Sequence, residues 1–226
     1  MTVTLNFQVQ EKDGNLTILP ISINQAIIAG WTGRDKAAVE KHIIELEELG
    51  VMRPVSTPLF YRVSASRLTQ QPLIETSGTE SSGEIEFVII KHEGNLYVGV
   101  GSDHTDRKVE TYNVTVSKQM CEKPIACDLW RFEDVAEHWD RLELHSWING
   151  DEAYQTGLVS AMLPPLELID LYGSNRFVDG TAMFCGTIAA IGGIRPAPDF
   201  RFMLQDPVWN RKIGHGYRMK ELEIVG

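Results

Sequence analysis

The stretch GEIEFVIIKHEGNLYVGVGSDHTDR, residues 83–107, constrains the fold of this 226-residue chain more than any other. Two apolar runs of strand length flank Glu-Gly-Asn, a turn signal, and so read as adjacent strands. Side chains two apart on a strand share a face, which puts Glu84, Glu86, Val88 and Ile90 together and Ile85, Phe87 and Ile89 opposite. The first face begins acidic and ends apolar. A solvated face stays polar along its length, so this strand starts in a polar pocket and ends in the core.

The remaining texture is rich in strands, with a few helices. TVTLNFQVQ and NLTILPISI flank a KDGN turn and read as a hairpin. In GRDKAAVEKHIIELEELGV the positions Ala38, Val39, His42, Ile43, Leu46 and Leu49 recur at steps of three and four. That predicts a helix capped by Asp35 and stopped by Gly50. PVSTPLFYRVSASRL reads as loop and strand. IETSGTESSG is a Ser/Thr/Gly-rich link, which places a boundary between an N-terminal strand-helix portion, 1–80, and a larger portion, 81–226. Beyond it, helices are predicted over FEDVAEHWDRLEL and PPLELIDLYGS, strand-turn-strand over SWINGDEAYQTG, and a buried strand running into a loop over TAMFCGTIAAIGGI.

A formal net charge of -10 gives no basic footprint for a phosphate backbone, so no nucleic-acid partner is expected. No apolar run approaches the roughly 18 residues needed to span a bilayer, and the N-terminus lacks a signal-peptide pattern. The chain is therefore expected to be cytoplasmic, without a membrane partner. Cys121, Cys127 and Cys185 have neither the parity of a disulfide framework nor a CxxC spacing and read as packing residues.

Asp103 follows the second strand and brings a third carboxylate to Glu84 and Glu86. Three carboxylates at the ends of adjacent strands suit a hard divalent cation such as Mg2+, and the lack of a nearby cysteine or paired histidines argues against zinc. The alternative is that the glutamates are surface residues at a fraying strand start, and the pattern alone leaves both open. His42 and Glu45 lie three apart on one helix face, the arrangement of a water-activating base with its orienting carboxylate and equally of an ordinary surface pair. Arg107, Lys118, Gln155 and Thr187 are scattered in sequence; a substrate carboxylate would want such an arginine or lysine beside a metal. On a strand, His104 would face away from Asp103.

The order of these clusters resembles the fumarylacetoacetate hydrolase superfamily over residues 30–220. GEIEFVII is similar to the family's Glu-x-Glu strand and GSDHTDR to its Asp-x-Thr-x-Arg segment. SKQMCEKP resembles the Lys-to-Pro stretch, WINGDEAYQTG the Asn-Gly-Glu…Gln turn, and DGTAMFCGTIAAIGG the Gly-Asp…Thr-Gly-Thr-Pro-x-Gly-x-Gly block. GRDKAAVEKHIIELEELG with TPLFYRV is similar to Gly-x-Asn-Tyr-x-x-His-x-x-Glu followed by Pro-x-x-Phe-x-Lys.

The resemblance implies an α+β, β-rich fold, a mixed β-sheet roll with a small N-terminal α/β portion, and a homodimer. It implies that Glu84, Glu86 and Asp103 hold Mg2+ or Mn2+, that His42 and Glu45 form a water-activating lid dyad, and that Lys118, Arg107, Gln155 and Thr187 line the pocket. The sequence departs from the pattern at Asp35-Lys36, at Tyr61 and Arg62 where a lysine is usual, and at Ile188-Ala189 in place of proline. Tyr61 and Arg62 are thereby expected at the substrate. The expected activity is hydrolytic cleavage of a carbon-carbon bond in a small 2-oxo or 1,3-dioxo carboxylic acid. The alternatives are a lyase or isomerase of 2-oxo acids on the same fold, or a non-catalytic small-acid-binding protein.

Overall fold

The computed structural model describes residues 1–48 and 53–225. An eight-stranded mixed sheet runs in the order Leu16–Ile23, Val3–Gln10, Asp128–Arg131, Asn95–Ser102, Ile85–His92, Thr181–Phe184, Gln25–Gly30, Leu59–Val63. A five-stranded sheet runs Glu152–Leu158, Glu143–Ile148, Asp199–Asp206, Arg211–Leu222, Leu73–Ser77. Most neighbours are antiparallel, but Val3–Gln10 with Asp128–Arg131, Gln25–Gly30 with Thr181–Phe184, and Leu73–Ser77 with Arg211–Leu222 are parallel.

The alternation along Ile85–His92 sorts its side chains into two cores. Ile85, Phe87 and Ile89 pack between the sheets with Leu144, Phe200 and Phe202. Val88 and Ile90 point the other way and join Leu5, Phe7, Ile21, Val63, Leu129 and Phe184. That second cluster takes residues from all eight strands, with Leu68 and Ile125 packed beside them, so the large sheet curls around its own apolar face. The glycines of LYVGVGS permit the curl. A side chain at Gly101 would meet the Phe184 ring at 2.6 Å and the Pro124 carbonyl at 2.8 Å. The fold is the β-rich mixed roll that the sequence leads one to expect.

Several local expectations hold in detail. The Lys36–Glu48 helix begins with Asp35 Oδ1 accepting from the Ala37 and Ala38 amides at 2.9 and 3.1 Å. Its predicted stop, Gly50, lies outside the described residues. Asn149 and Gly150 both have positive φ, 50° and 83°, in the tight turn between Glu143–Ile148 and Glu152–Leu158. Pro165 opens the Pro165–Tyr172 helix and Gly173, at φ 107°, ends it.

Two expectations are corrected. FEDVAEHWDRLEL is not one helix: Phe132–Val135 is a single α-turn and Ala136–Arg141 a 3-10 segment interrupted at His138, φ −124°; the next strand begins at Glu143. IETSGTESSG is not a free link. Leu73–Ser77 pairs with the last strand, and Ser81–Ser82 pairs with Thr105–Asp106. Strands from both sides of residue 80 thus share both large sheets. Among the described residues no helix is long and apolar enough to cross a membrane.

Candidate metal centre and surrounding pocket

Glu86 opposes Gly101 in the ladder between Ile85–His92 and Asn95–Ser102, and the Asp103 amide extends that ladder by donating to the Glu84 carbonyl at 2.9 Å. The hairpin therefore delivers all three acids to one end. Carboxylate oxygens of Glu84, Glu86 and Asp103 lie within 4.8 Å of one another. Glu86 and Asp103 are buried and Glu84 is half-buried.

Equal burial has opposite consequences for the two inner acids. Burial, with the Asp103 charge beside it, holds the Glu86 carboxyl well above the usual carboxylate range despite an amide bond from Gly186 at 2.7 Å. Burial would also raise Asp103, but the ammonium groups of Lys118 and Lys123 outweigh it and hold Asp103 below its ordinary value. Lys118 sits on Oδ2. Lys123 lies 3.0 Å from Oδ1, an ion pair in which both side chains are fully buried. Three convergent carboxylates offer an all-oxygen donor set, which fits a hard divalent cation.

Lys118 projects from the Val114–Met120 helix. Burial acts to lower it, and Asp103, Glu84 and Glu110 more than offset that, so it stays an ammonium. Its Nζ lies 5.8 Å from the centroid of the Tyr61 ring, whose hydroxyl accepts from Trp31 Nε1 at 3.3 Å. Arg107 donates from Nε to Ser82 Oγ at 2.7 Å and from Nη1 to Glu110 at 3.0 Å, and its Nη2 is 3.3 Å from Glu84.

Gln155 and Thr187 meet behind the acidic strand. Gln155 Oε1 accepts from the Ile85 amide at 3.0 Å and from Ser146 Oγ at 3.1 Å. Its Nε2 donates to Thr187 Oγ1 at 2.8 Å and to the Ile188 carbonyl at 2.6 Å, and Thr187 Oγ1 donates to the Ile85 carbonyl at 2.6 Å. All four hydrogen-bonding positions of this amide are spent inside the protein. Arg62, next to Tyr61 on its strand, faces outward and bonds Gln25 Oε1 and the Asn24 carbonyl, so the structure does not bring it to the acids. His42 and Glu45 lie on the Lys36–Glu48 helix, but their side chains are outside the described residues.

Sequence reasoning misses Lys123, which is fully buried and also donates to the His104 carbonyl. Its only signal is a lysine heading the apolar run PIAC. Among the cysteines, Cys121 and Cys185 are free and buried and Cys127 is free and half-buried.

The model of a family described as "Protein of unknown function (DUF2848)" matches residues 29–217. Among curated proteins none matches. Solved structures match over nearly the whole chain. Fumarylpyruvate hydrolase from Pseudomonas aeruginosa, in complex with Mn2+ and pyruvate, is 16% identical with a TM-score of 0.61, covering 97% of this chain and 96% of that one. A candidate fumarylacetoacetate isomerase/hydrolase from Oleispira antarctica is 16% identical with a TM-score of 0.66, covering 95% and 99%. The 5-carboxymethyl-2-hydroxymuconate delta-isomerase from Mycobacterium smegmatis is 14% identical with a TM-score of 0.60, covering 94% and 88%. The superfamily resemblance read from the sequence is thus borne out as a shared fold.

Proposed function

The chain belongs to the DUF2848 family, and we propose that it is a divalent-metal-dependent enzyme hydrolysing a carbon-carbon bond in a small 2-oxo or 1,3-dioxo carboxylic acid. The observation that carries this reading is the convergence of Glu84, Glu86 and Asp103 beside the buried Lys118 ammonium. The same fold in a fumarylpyruvate hydrolase crystallised with Mn2+ and pyruvate supports it.

Glu84, Glu86 and Asp103 would hold Mg2+ or Mn2+, which when bound supplies Lewis-acid polarisation of a substrate carbonyl. Lys118, a protonated donor at the edge of the acids, binds the substrate carboxylate or the oxygen that gains charge. The Tyr61 ring covers Lys118 and limits its contact with water. Arg107 is held by Glu84 and Glu110 and keeps Glu84 oriented. In this reading His42, paired with Glu45, removes a proton from water, whose oxygen adds to the carbonyl carbon. The carbon-carbon bond then breaks, its electron pair stays on the α-carbon, and that carbon takes up the proton. Gln155 and Thr187 fix the strand that bears the glutamates. We take the working form to be a homodimer acting on a small acid.

A second reading keeps the site and changes the reaction to decarboxylation, hydration or tautomerisation of a 2-oxo acid. The isomerase among the proteins of this fold favours it. Incubation with acylpyruvates, oxaloacetate and 2-hydroxydienoates in the presence of Mn2+, with products read by mass, separates the two. Pyruvate plus a second carboxylic acid is the outcome expected for hydrolysis. Glu86→Gln and Asp103→Asn are expected to abolish Mn2+ binding in calorimetry, and wild-type affinity in both would remove the foundation of either reading.

A further inference from the structure

The residues flanking Asp103 are tied to a single phenol. Ser102 Oγ lies 2.8 Å from Tyr217 Oη, and His104 Nδ1 lies 2.9 Å from the same oxygen. Tyr217 comes from the Arg211–Leu222 strand of the other sheet, so the contact crosses the inter-sheet core. The chain continues at both ends. The Glu84 amide donates to Ser102 Oγ at 3.3 Å, and His104 Nε2 lies 2.9 Å from Ser81 Oγ. Ser81, Ser102, His104 and Tyr217 are all buried.

One orientation satisfies every member. The Glu84 amide donates to Ser102, the Ser102 hydroxyl to Tyr217, the Tyr217 hydroxyl to His104 Nδ1, and His104 Nε2–H to Ser81. The chain of hydrogen bonds thus runs from Ser81 through His104, Tyr217 and Ser102 to the Glu84 amide and brackets Asp103 on both sides. Carboxylates crowded this closely repel one another, and their separation holds only if the backbone that carries them is fixed.

We propose that Tyr217 is a positioning residue of the metal centre, holding Ser102 and His104 so that Asp103 and Glu84 keep the spacing a divalent cation needs. This rests on the reading of the three carboxylates as a cation site. The test is Mn2+ affinity by calorimetry on the full chain, for wild type, Tyr217→Phe, Ser102→Ala and Glu86→Gln, with melting curves recorded without the cation. Each of the first two variants deletes one oxygen. Ser102 bonds the backbone amide of Glu84 and Tyr217 bonds Ser102, one step further out than a direct partner of a ligand carboxylate, so the lower end of the usual 10–100-fold cost, a drop of about tenfold, is expected for Tyr217→Phe and for Ser102→Ala. A merely structural role would lower the melting temperature and leave affinity unmoved, so wild-type affinity in folded Tyr217→Phe overturns the proposal. Should that variant not fold, Ser102→Ala decides by the same criterion. If wild type takes up no Mn2+, or Glu86→Gln binds it as well as wild type, the cation site itself falls and the proposal with it.

Discussion

Lys118 and Lys123 face opposite oxygens of one buried carboxylate, that of Asp103. Two ammonium groups thus answer the acids from within the protein, and they do so from different segments: Lys118 lies in the last turn of a helix, and Lys123 begins a two-residue strand paired with Leu68–Thr69. Removing one partner of a buried pair leaves charge uncompensated and costs roughly 3 kcal/mol or more. Lys123→Met is therefore expected to lose about 3 kcal/mol in urea unfolding. The double variant Lys123→Met/Asp103→Asn should recover part of that, with a coupling energy of about 2 kcal/mol. Strict additivity would show that the pair does not interact.

The same internal compensation is expected to leave the fold independent of a bound cation. With Lys118, Lys123 and Arg107 already set against Asp103 and Glu84, chelation by EDTA is expected to leave a cooperatively folded chain. Adding Mn2+ to about a hundred times its dissociation constant should then raise stability by about 2.7 kcal/mol through linkage. Thermal melts with and without EDTA measure both. A chain unfolded in EDTA at room temperature would contradict the compensation argument.

The faces of the strand that bears the acids are legible in the sequence because its alternation of two is strict: Val88 and Ile90 share one and Phe87 and Ile89 the other, and the fold, beyond what the pattern predicts, buries each in its own core. The acid cluster is legible for the same reason, since a carboxylate on a face that turns apolar needs a cause. What is not legible depends on distant parts of the chain. Tyr217 reaches Ser102 and His104 from the last strand, over a separation of more than a hundred residues, and no local pattern marks it. The helix expected over FEDVAEHWDRLEL fails because propensity is local while the burial of Trp139 and Leu142 is tertiary. Gln155 is assigned to the substrate by resemblance, and only its full set of internal bonds shows where its amide is spent.

Acid sensitivity is expected to come in part from Asp206. Its carboxylate is buried and accepts from His138 Nε2 at 3.0 Å, Arg211 Nε at 3.1 Å and the Val208 amide at 3.0 Å. Burial alone would raise its pKa, but the bonds from His138, the Trp209 amide and Arg211 prevail and lower it. A carboxyl depressed in the folded state adds stability that is complete above its unfolded value, about 3.9, and is lost as pH falls through the folded value. Asp206→Asn should be less stable than wild type near neutrality, with the gap closing below about pH 4. Urea unfolding across pH 2 to 7 tests this; a gap constant with pH would assign the effect to packing.

Gln155 separates a substrate contact from a structural one. A residue that touches substrate, when replaced, changes KM and leaves the melting temperature alone. Gln155 is bound at both ends of its amide to Ile85, Ser146, Thr187 and Ile188, and Ile85 sits between the two glutamates of the metal centre. Gln155→Leu keeps much of the volume but strands the Ile85 amide and the Ser146 hydroxyl in a buried setting, at about 1–3 kcal/mol for each unpaired group. The expected outcome is a loss of about 3 kcal/mol in unfolding, together with weaker Mn2+ binding because the Glu84–Glu86 backbone loses its anchor. Unchanged stability with an altered KM would instead return Gln155 to the substrate.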